Sequence, residues 1–323
     1  MHKSFARTAL LAVTAAGAML ASAPSPAKAE YPEKPVTMVI PYGPGGSHDL
    51  NARIVTSILP EYLGQPVVVR LTPGAGGQKG TQEVGRSRPD GYTLLFTSNQ
   101  IDMLQPHVEN VPYEPLEDFV PVVRVNYAPA SIVVRADSPF ETFDELVSYA
   151  QEHPGELQLG HSGNWGAFFV AAAQIMKEKD FMMNMVPYQG GGPAMQALLS
   201  GDSDMTMAFP SSLGELVESG DIRVLATAGE EPIFDGVPTF SDVGIDGDIG
   251  YMHRFILVPS ETPQEVIDTL TTAFEGLFAD EDFNRLMSEL GENVEWLPGA
   301  EYQALREKQA QEYEVLVNEL TSQ

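Results

Sequence analysis

Apolar residues in this chain follow two alternating periods. Short runs at 36–40, 66–69 and 92–96 are dense in Val, Ile, Leu and aromatic side chains and end at Pro, Gly or small polar residues. Such runs predict buried strands. Between them apolar positions fall every third or fourth residue. Ile54, Val55, Ile58, Leu59 and Tyr62 predict a helix starting near Ser47, with Ser47 as N-cap and Asp49 complementing the positive helix end. A second helix is predicted to reach about Arg86.

The scheme returns further on. Residues 131–134 predict a strand, and Thr142 and Glu145 have the spacing of a capping box ahead of Leu146, Val147 and Ala150. Residues 157–159 lead into Gly160-His161-Ser162-Gly163-Asn164, followed by a helix with Phe168, Phe169, Ala172, Ile175 and Met176 on one face. Residues 186–188 lead into Gly190-Gly191-Gly192, with Pro193 in the first turn of a helix that stops at Gly201. Short strands are expected at 205–209 and 223–226. The tail reads as helices with apolar faces at Val266–Phe278, Phe283–Leu290 and Leu305–Leu320. Repeated strand, glycine-rich turn and helix units predict α/β lobes built on parallel sheets.

The first 29 residues do not fit this pattern. Lys3 and Arg7 precede an apolar run from Ala9 to Leu20, and Ala27-Lys28-Ala29 is an A-x-A site. That is a secretory signal peptide with cleavage expected after Ala29, too short in its apolar run for a relaxed membrane span. Composition then sharpens the picture. The 323 residues contain 18 basic and 45 acidic side chains and no Cys. Losing Lys3, Arg7 and Lys28 with the signal moves the net charge from −27 to −30. This balance argues against nucleic acid and anionic lipid as partners. The lack of Cys excludes disulfides and a thiol nucleophile.

Three glycine-rich turns precede helices at strand ends, where open α/β sheets bind ligands. Free N–H groups and partial positive charge at helix N-termini favour an anion there. A nucleotide phosphate is not indicated: Gly43-Pro44-Gly45-Gly46 is not a dinucleotide fingerprint, and no P-loop spacing occurs. No nucleophile elbow or H-E-x-x-H pattern is present. Asp242, Asp246 and Asp248 come nearest to a calcium loop without its spacing, so no metal and no cofactor are expected. Glu230-Glu231 and Asp280-Glu281-Asp282 read as solvated surface.

Certain segments, taken in order, resemble one family. These are Tyr31-Pro32-Glu33-Lys34-Pro35, Pro41-Tyr42-Gly43-Pro44-Gly45-Gly46-Ser47-His48-Asp49, Gly64-Gln65-Pro66-Val67-Val68-Val69 and Pro73-Gly74-Ala75-Gly76-Gly77. Pro89-Asp90-Gly91-Tyr92-Thr93-Leu94-Leu95, Ser162-Gly163-Asn164, Val186-Pro187-Tyr188-Gln189-Gly190 and Val237-Pro238-Thr239-Phe240 continue the series. Together they resemble the Bug family, the solute-binding proteins of tripartite tricarboxylate transporters. The resemblance implies a type II periplasmic-binding-protein fold, two α/β lobes with a ligand cleft between them. Lobe 1 is expected at 30–126 plus 228–323 and lobe 2 at 127–227.

It further implies a periplasmic, non-enzymatic, monomeric receptor. Such a receptor would capture a small carboxylate (a di- or tricarboxylate or an aromatic acid) by cleft closure and deliver it to an integral membrane permease. A ligand-binding subunit for a sensor kinase and an exported hydrolase are the alternatives. The family's first-lobe turns fall here on Tyr42, Gly45, Gly46, Ser47, His48 and Asp49 and on Ala75, Gly76 and Gly77, with Ser98 at the next strand end. The opposing turns fall on His161, Ser162, Asn164 and Trp165, on Tyr188 to Gly192, and on Phe209 to Ser211. His48, His161 and Trp165 depart from the family pattern, as do Arg70-Leu71-Thr72 before the second turn and the strand Met252-His253-Arg254-Phe255. Arg254 and Arg70 are the candidate local cations, with Arg254 as counter-ion for a second ligand carboxylate.

Overall fold

The computed structural model describes residues 31–229, 232–245, 250–292 and 294–321. The signal segment, the Glu230-Glu231 pair and Asp246 and Asp248 therefore lie outside the described residues. Chain order begins β1 (Val36–Ile40), α1 (Ser47–Leu63), β2 (Val67–Leu71), α2 (Gln78–Gly85), β3 (Thr93–Ser98), α3 (Pro115–Asp118), β4 (Phe119–Pro129), β5 (Ser131–Arg135) and α4 (Phe143–Glu152). It continues with β6 (Gln158–His161), α5 (Ala167–Glu178), β7 (Asn184–Pro187), α6 (Gly191–Ser200), β8 (Met205–Ala208), α7 (Gly214–Glu218) and β9 (Ile222–Thr227). β10 (Tyr251–Pro259), α8 (Gln264–Ala279), α9 (Glu281–Glu289), β11 (Leu297–Pro298) and α10 (Gly299–Thr321) complete it.

The strands form two sheets, and both are mixed where the sequence predicted parallel ones. One has the order β11-β4-β10-β3-β1-β2, with β1 parallel to β2 and β3, and β10 antiparallel to β3 and β4. The other has the order β7-β6-β8-β5-β9, with β6 parallel to its neighbours and β5 antiparallel to β8 and β9. The parallel parts are the strand–turn–helix units, in which each turn must reverse the chain over a helix. The antiparallel strands carry the chain between the sheets. β4 runs directly into β5, and the return path enters β10. Ala130 N–H donates to the Gly250 carbonyl (2.7 Å) and Ala228 N–H to the Ala130 carbonyl (2.8 Å), tying the two crossings together.

Each sheet has its own apolar core. In the first, Met38, Ile40, Leu59, Phe96, Phe255 and Phe274 are wholly enclosed. In the second, Ile132, Phe143, Leu159, Ala172 and Met207 fill the interior. Burial of such side chains contributes roughly 1.5–3 kcal/mol each, enough for each sheet to hold its turns in place. The capping box is present: Glu145 N–H donates to Thr142 Oγ1 (3.2 Å) while Glu145 Oε2 accepts from Thr142 N–H (3.2 Å). Gly201 closes α6 with left-handed φ of 84°.

Candidate functional site

The first turn leaves β1 at Pro41 and enters α1. Its N-cap is Gly46, not Ser47, and no side chain caps the helix. Asp49 folds back instead: its Oδ2 accepts from Gly45 N–H (3.0 Å), and its Oδ1 lies 3.0 Å from Arg53 Nε. Asp49 thus shapes the turn and leaves the α1 amides open. The second turn, before α2, has three successive left-handed residues, Ala75 (φ 48°), Gly76 (φ 60°) and Gly77 (φ 104°). A Cβ on Gly77 would also stand 2.3 Å from Ile101 Cδ1.

The two sheets meet turn against turn. Gly43 N–H donates to the Gln189 carbonyl (3.0 Å). A Cβ built on Gly192 would stand 2.2 Å from the Pro44 carbonyl oxygen, and one on Gly46 would stand 3.1 Å from Gly192 N. The second turn faces the other loop, with the Gly76 Cβ position 3.5 Å from the Asn164 carbonyl oxygen. At Gly192 the approach is too close for any side chain. The cleft is closed.

Closure leaves a cavity of about 30 Å³, room for about two waters. Its lining is informative. Gly46 and Ser47 begin α1, Ala167 and Phe168 begin α5, and Gly191 begins α6. Three helix N-termini from both sheets therefore converge on one small space. Their unpaired N–H groups and dipoles make it attractive to a small anion. Ser162 and Ser212 add hydroxyls, while Phe168, Ala208, Phe209 and Met252 form an apolar wall. A bound solute of more than a few heavy atoms requires the lobes to part.

Behind that wall lies a buried charge. Arg254 on β10 is wholly buried, and its Nη1 donates to Glu292 Oε2 (2.8 Å) and Asn126 Oδ1 (3.2 Å). Asn51 and Asn126 also donate to Glu292. Arg254 Nε and Nη2 have no partner. The Phe209 ring, from the second sheet, lies over the guanidinium at 5.1 Å. Parting of the lobes would carry Phe209 off this cation. Tyr42 and His48 stand beside it. Tyr42 hydroxyl is 3.1 Å from Ser98 Oγ, and the Tyr42 ring lies 4.4 Å from His48. Burial pushes the Tyr42 hydroxyl up to about 12. Burial, followed by the Arg254 charge, holds His48 well below its usual range, so its ring is neutral at pH 7.

Of the residues singled out from sequence, Tyr42, Gly46, Ser47, His48, Ser162 and Phe209 line the cavity. Gly45, Ala75 and Asn164 sit exposed on the turns around it. Gly76 and Gly77 lie beneath Asn164 and against Ile101. Ser98 supports Tyr42. His161 is buried with Nδ1 3.0 Å from the Gly163 carbonyl, outside the cavity lining. Trp165 packs on Phe169 at 5.0 Å, in an apolar cluster with Leu104 and Val317. The Tyr188 ring lies over Gly160. Arg70 is on the surface, paired with Glu83, and supplies the cleft with nothing.

Sequence reasoning missed Ala167, Phe168, Ala208, Ser212 and Met252 as lining, and Glu292 as the partner of Arg254, while Gly191 falls within the Tyr188 to Gly192 turn that the resemblance had assigned to the cleft. Glu292 had no sequence signal, since only the fold brings it 38 residues along the chain to Arg254. Among the described residues no cluster of His, Asp or Glu could hold a metal ion. No described helix is long and apolar enough to cross a membrane.

Comparison with known proteins agrees with this geometry. A family model described as "tripartite tricarboxylate transporter family receptor" matches residues 51–321. A Cupriavidus necator protein, "UPF0065 protein in gbd 5'region", is 33% identical over 273 residues, covering 84% of this chain and 82% of its own. The periplasmic binding protein BugD has a TM-score of 0.85 at 28% identity, covering 90% of this chain and 98% of its own. MatC from Rhodopseudomonas palustris, solved with bound malate, has a TM-score of 0.83 at 25% identity, covering 89% and 100%.

Proposed function

The chain belongs to the tripartite tricarboxylate transporter receptor family, with a periplasmic-binding-protein fold, and on that premise we propose that it is an exported receptor for a small carboxylate. The solute enters the open cleft, is held by the N–H groups at the starts of α1, α5 and α6, and is enclosed as the lobes close. The convergence of those three N-termini on one cavity carries this reading. The bound malate of MatC is the kind of ligand it leads one to expect. Binding and release without turnover fit a site that has hydrogen-bond donors and an apolar wall.

In this reading the lobes divide at 126/127 and 227/228, and the signal peptide is removed after Ala29. The mature receptor acts as a monomer in the periplasm and hands its solute to a tripartite-type membrane permease. Gly46 and Ser47 at the start of α1, with Ala167 and Gly191 opposite, grip one carboxylate. Ser162, Phe168, Phe209 and Ser212 close over the solute from lobe 2, with Asn164 on the turn at the rim. When Phe209 moves away, the unpartnered Nε and Nη2 of Arg254 offer donors to the solute, while the guanidinium charge itself is balanced by Glu292. A thermal-shift panel of mono-, di-, tri- and aromatic carboxylates with matched neutral amides tests this. Acids raising the midpoint where their amides do not is the expected outcome. No acid shifting the midpoint would sink the reading.

A further inference from the structure

α10 joins the two lobes along one face. Tyr302, Arg306, Gln309, Tyr313 and Val317 recur at steps of three or four residues and form a single stripe. Its first half belongs to lobe 1. The Tyr302 ring packs on Phe255 at 4.6 Å, and Arg306 is forked on buried Asp102. Further along, the Tyr313 hydroxyl accepts from Asn99 Nδ2 (2.5 Å), and Asn99 Oδ1 accepts from the His253 N–H (3.0 Å) of β10. The last turn of the stripe then reaches lobe 2. Val317 and Leu104 meet Val170 of α5 in an apolar cluster that also holds Leu316, Trp165 and Phe169. Val317 and Val170 are each only 6% exposed.

Trp165 adds a second observation. Its φ is left-handed at 54°, a conformation disfavoured for any residue with a Cβ. Packing holds it there, with the ring on Phe169 at 5.0 Å inside the same cluster. The cluster is tied to the cleft on both sides. The Asn164 carbonyl, one residue before Trp165, faces Gly76, and the Gly76 carbonyl accepts from Gln105 Nε2 (2.9 Å), one residue after Leu104. A movement that parts these turns also parts Trp165 from Leu104 and Val170 from Val317. Resting on the reading of a cleft that closes on a carboxylate, we propose that the last turn of α10 and Trp165 form a latch, made as the lobes close, that slows release of the solute. Neither Val317 nor Trp165 lines the cavity; they are positioning residues that set how long the closed form lasts. A contact made only in the closed form acts on the exit rate and leaves encounter with the open cleft unchanged.

The probe is the acid of the carboxylate panel that raises the unfolding midpoint of the mature chain most. In stopped-flow measurements Val317→Ser should release it about tenfold faster and capture it within about twofold of the wild-type rate. Val315→Ser, on the same turn but at a position 60% exposed, should change neither rate. In a Trp296→Phe background Trp165 is the sole indole, and its emission should shift to the blue as the acid binds. Release from Val317→Ser at the wild-type rate, slower capture in place of faster release, equal effects of the two valine substitutions, or Trp165 emission indifferent to saturating acid overturns the latch and leaves carboxylate binding intact. If no acid binds, the carboxylate reading falls, and the latch is decided on the unliganded chain. With spin labels at Asn110→Cys and Lys177→Cys, exposed on opposite lobes, Val317→Ser should lengthen the mean separation of the labels; identical distance distributions overturn the latch.

Discussion

Arg254 shows how far single residues could be read. Its charge in an apolar strand marked it as unusual, yet its partner Glu292 follows α9 and belongs to no local pattern. Both side chains are enclosed, so removing one strands the other. Arg254→Met is expected to lower stability by about 3–5 kcal/mol in urea unfolding, and the double variant Arg254→Met/Glu292→Met to recover most of it. A single variant as stable as the wild type would contradict the buried pairing. The histidines make a second residue-scale prediction. His48, His161 and His253 all have lowered values, mainly from burial, and His253 is pushed down to about 4. Below the unfolded value of about 6.5 the unfolded chain takes up protons that the folded chain refuses. The stabilising contribution of these groups is complete above about pH 6.5 and is lost as pH falls. His253 alone accounts for about 3 kcal/mol between pH 6.5 and 4. Denaturation midpoints flat across that window would contradict these neutral histidines.

At the scale of elements, the strand–turn–helix units were legible because each is local: a β-branched run, glycines, then apolar residues at helical spacing. β4 had no such signature. Pro121 interrupts its start, Arg124 and Asn126 break its apolar alternation, and its pairing with β10 shifts register twice. Its polar side chains are buried by distant partners: Arg124 Nε donates to the Glu295 carbonyl (3.0 Å), and Asn126 donates to Glu292. The five-residue π turn Gln100–Leu104 also lacks a 3.6-residue period. Glycines, by contrast, were readable as turns but not as contacts across the cleft. Gly192 is the clearest case, since its own φ is not left-handed and it is the backbone of the opposing turn, Pro44 O at 2.2 Å and Gly46 N at 2.9 Å, that blocks a side chain. Gly192→Ala should therefore fold normally by circular dichroism and lose about tenfold to a hundredfold in affinity for whichever carboxylate the thermal-shift panel identifies, by impeding closure. Undiminished affinity would show that closure does not bring these turns together.

For the whole molecule, charge and shape act at different ranges. A chain of net charge −27, or −30 with the signal removed as proposed, repels anions at a distance. On the proposed reading short-range donors do the binding, at the three helix N-termini that two separate sheets bring together. α10 adds to the closed form. Its Arg306 pairs with buried Asp102 through two bonds of 2.7 and 3.0 Å, and its Val317 end packs with Leu104 of the first lobe and Val170 of the second. On the proposed reading, recognition rests on short-range donors where the two sheets meet, not on the charge of the whole chain. The most direct test is calorimetric titration of the mature chain with the carboxylate that raises its unfolding midpoint most and with the neutral amide of the same shape. Saturable binding of the acid at least about tenfold tighter than the amide is the predicted result. Equal binding of acid and amide, or heat from neither, would contradict an anion held at the converging helix N-termini.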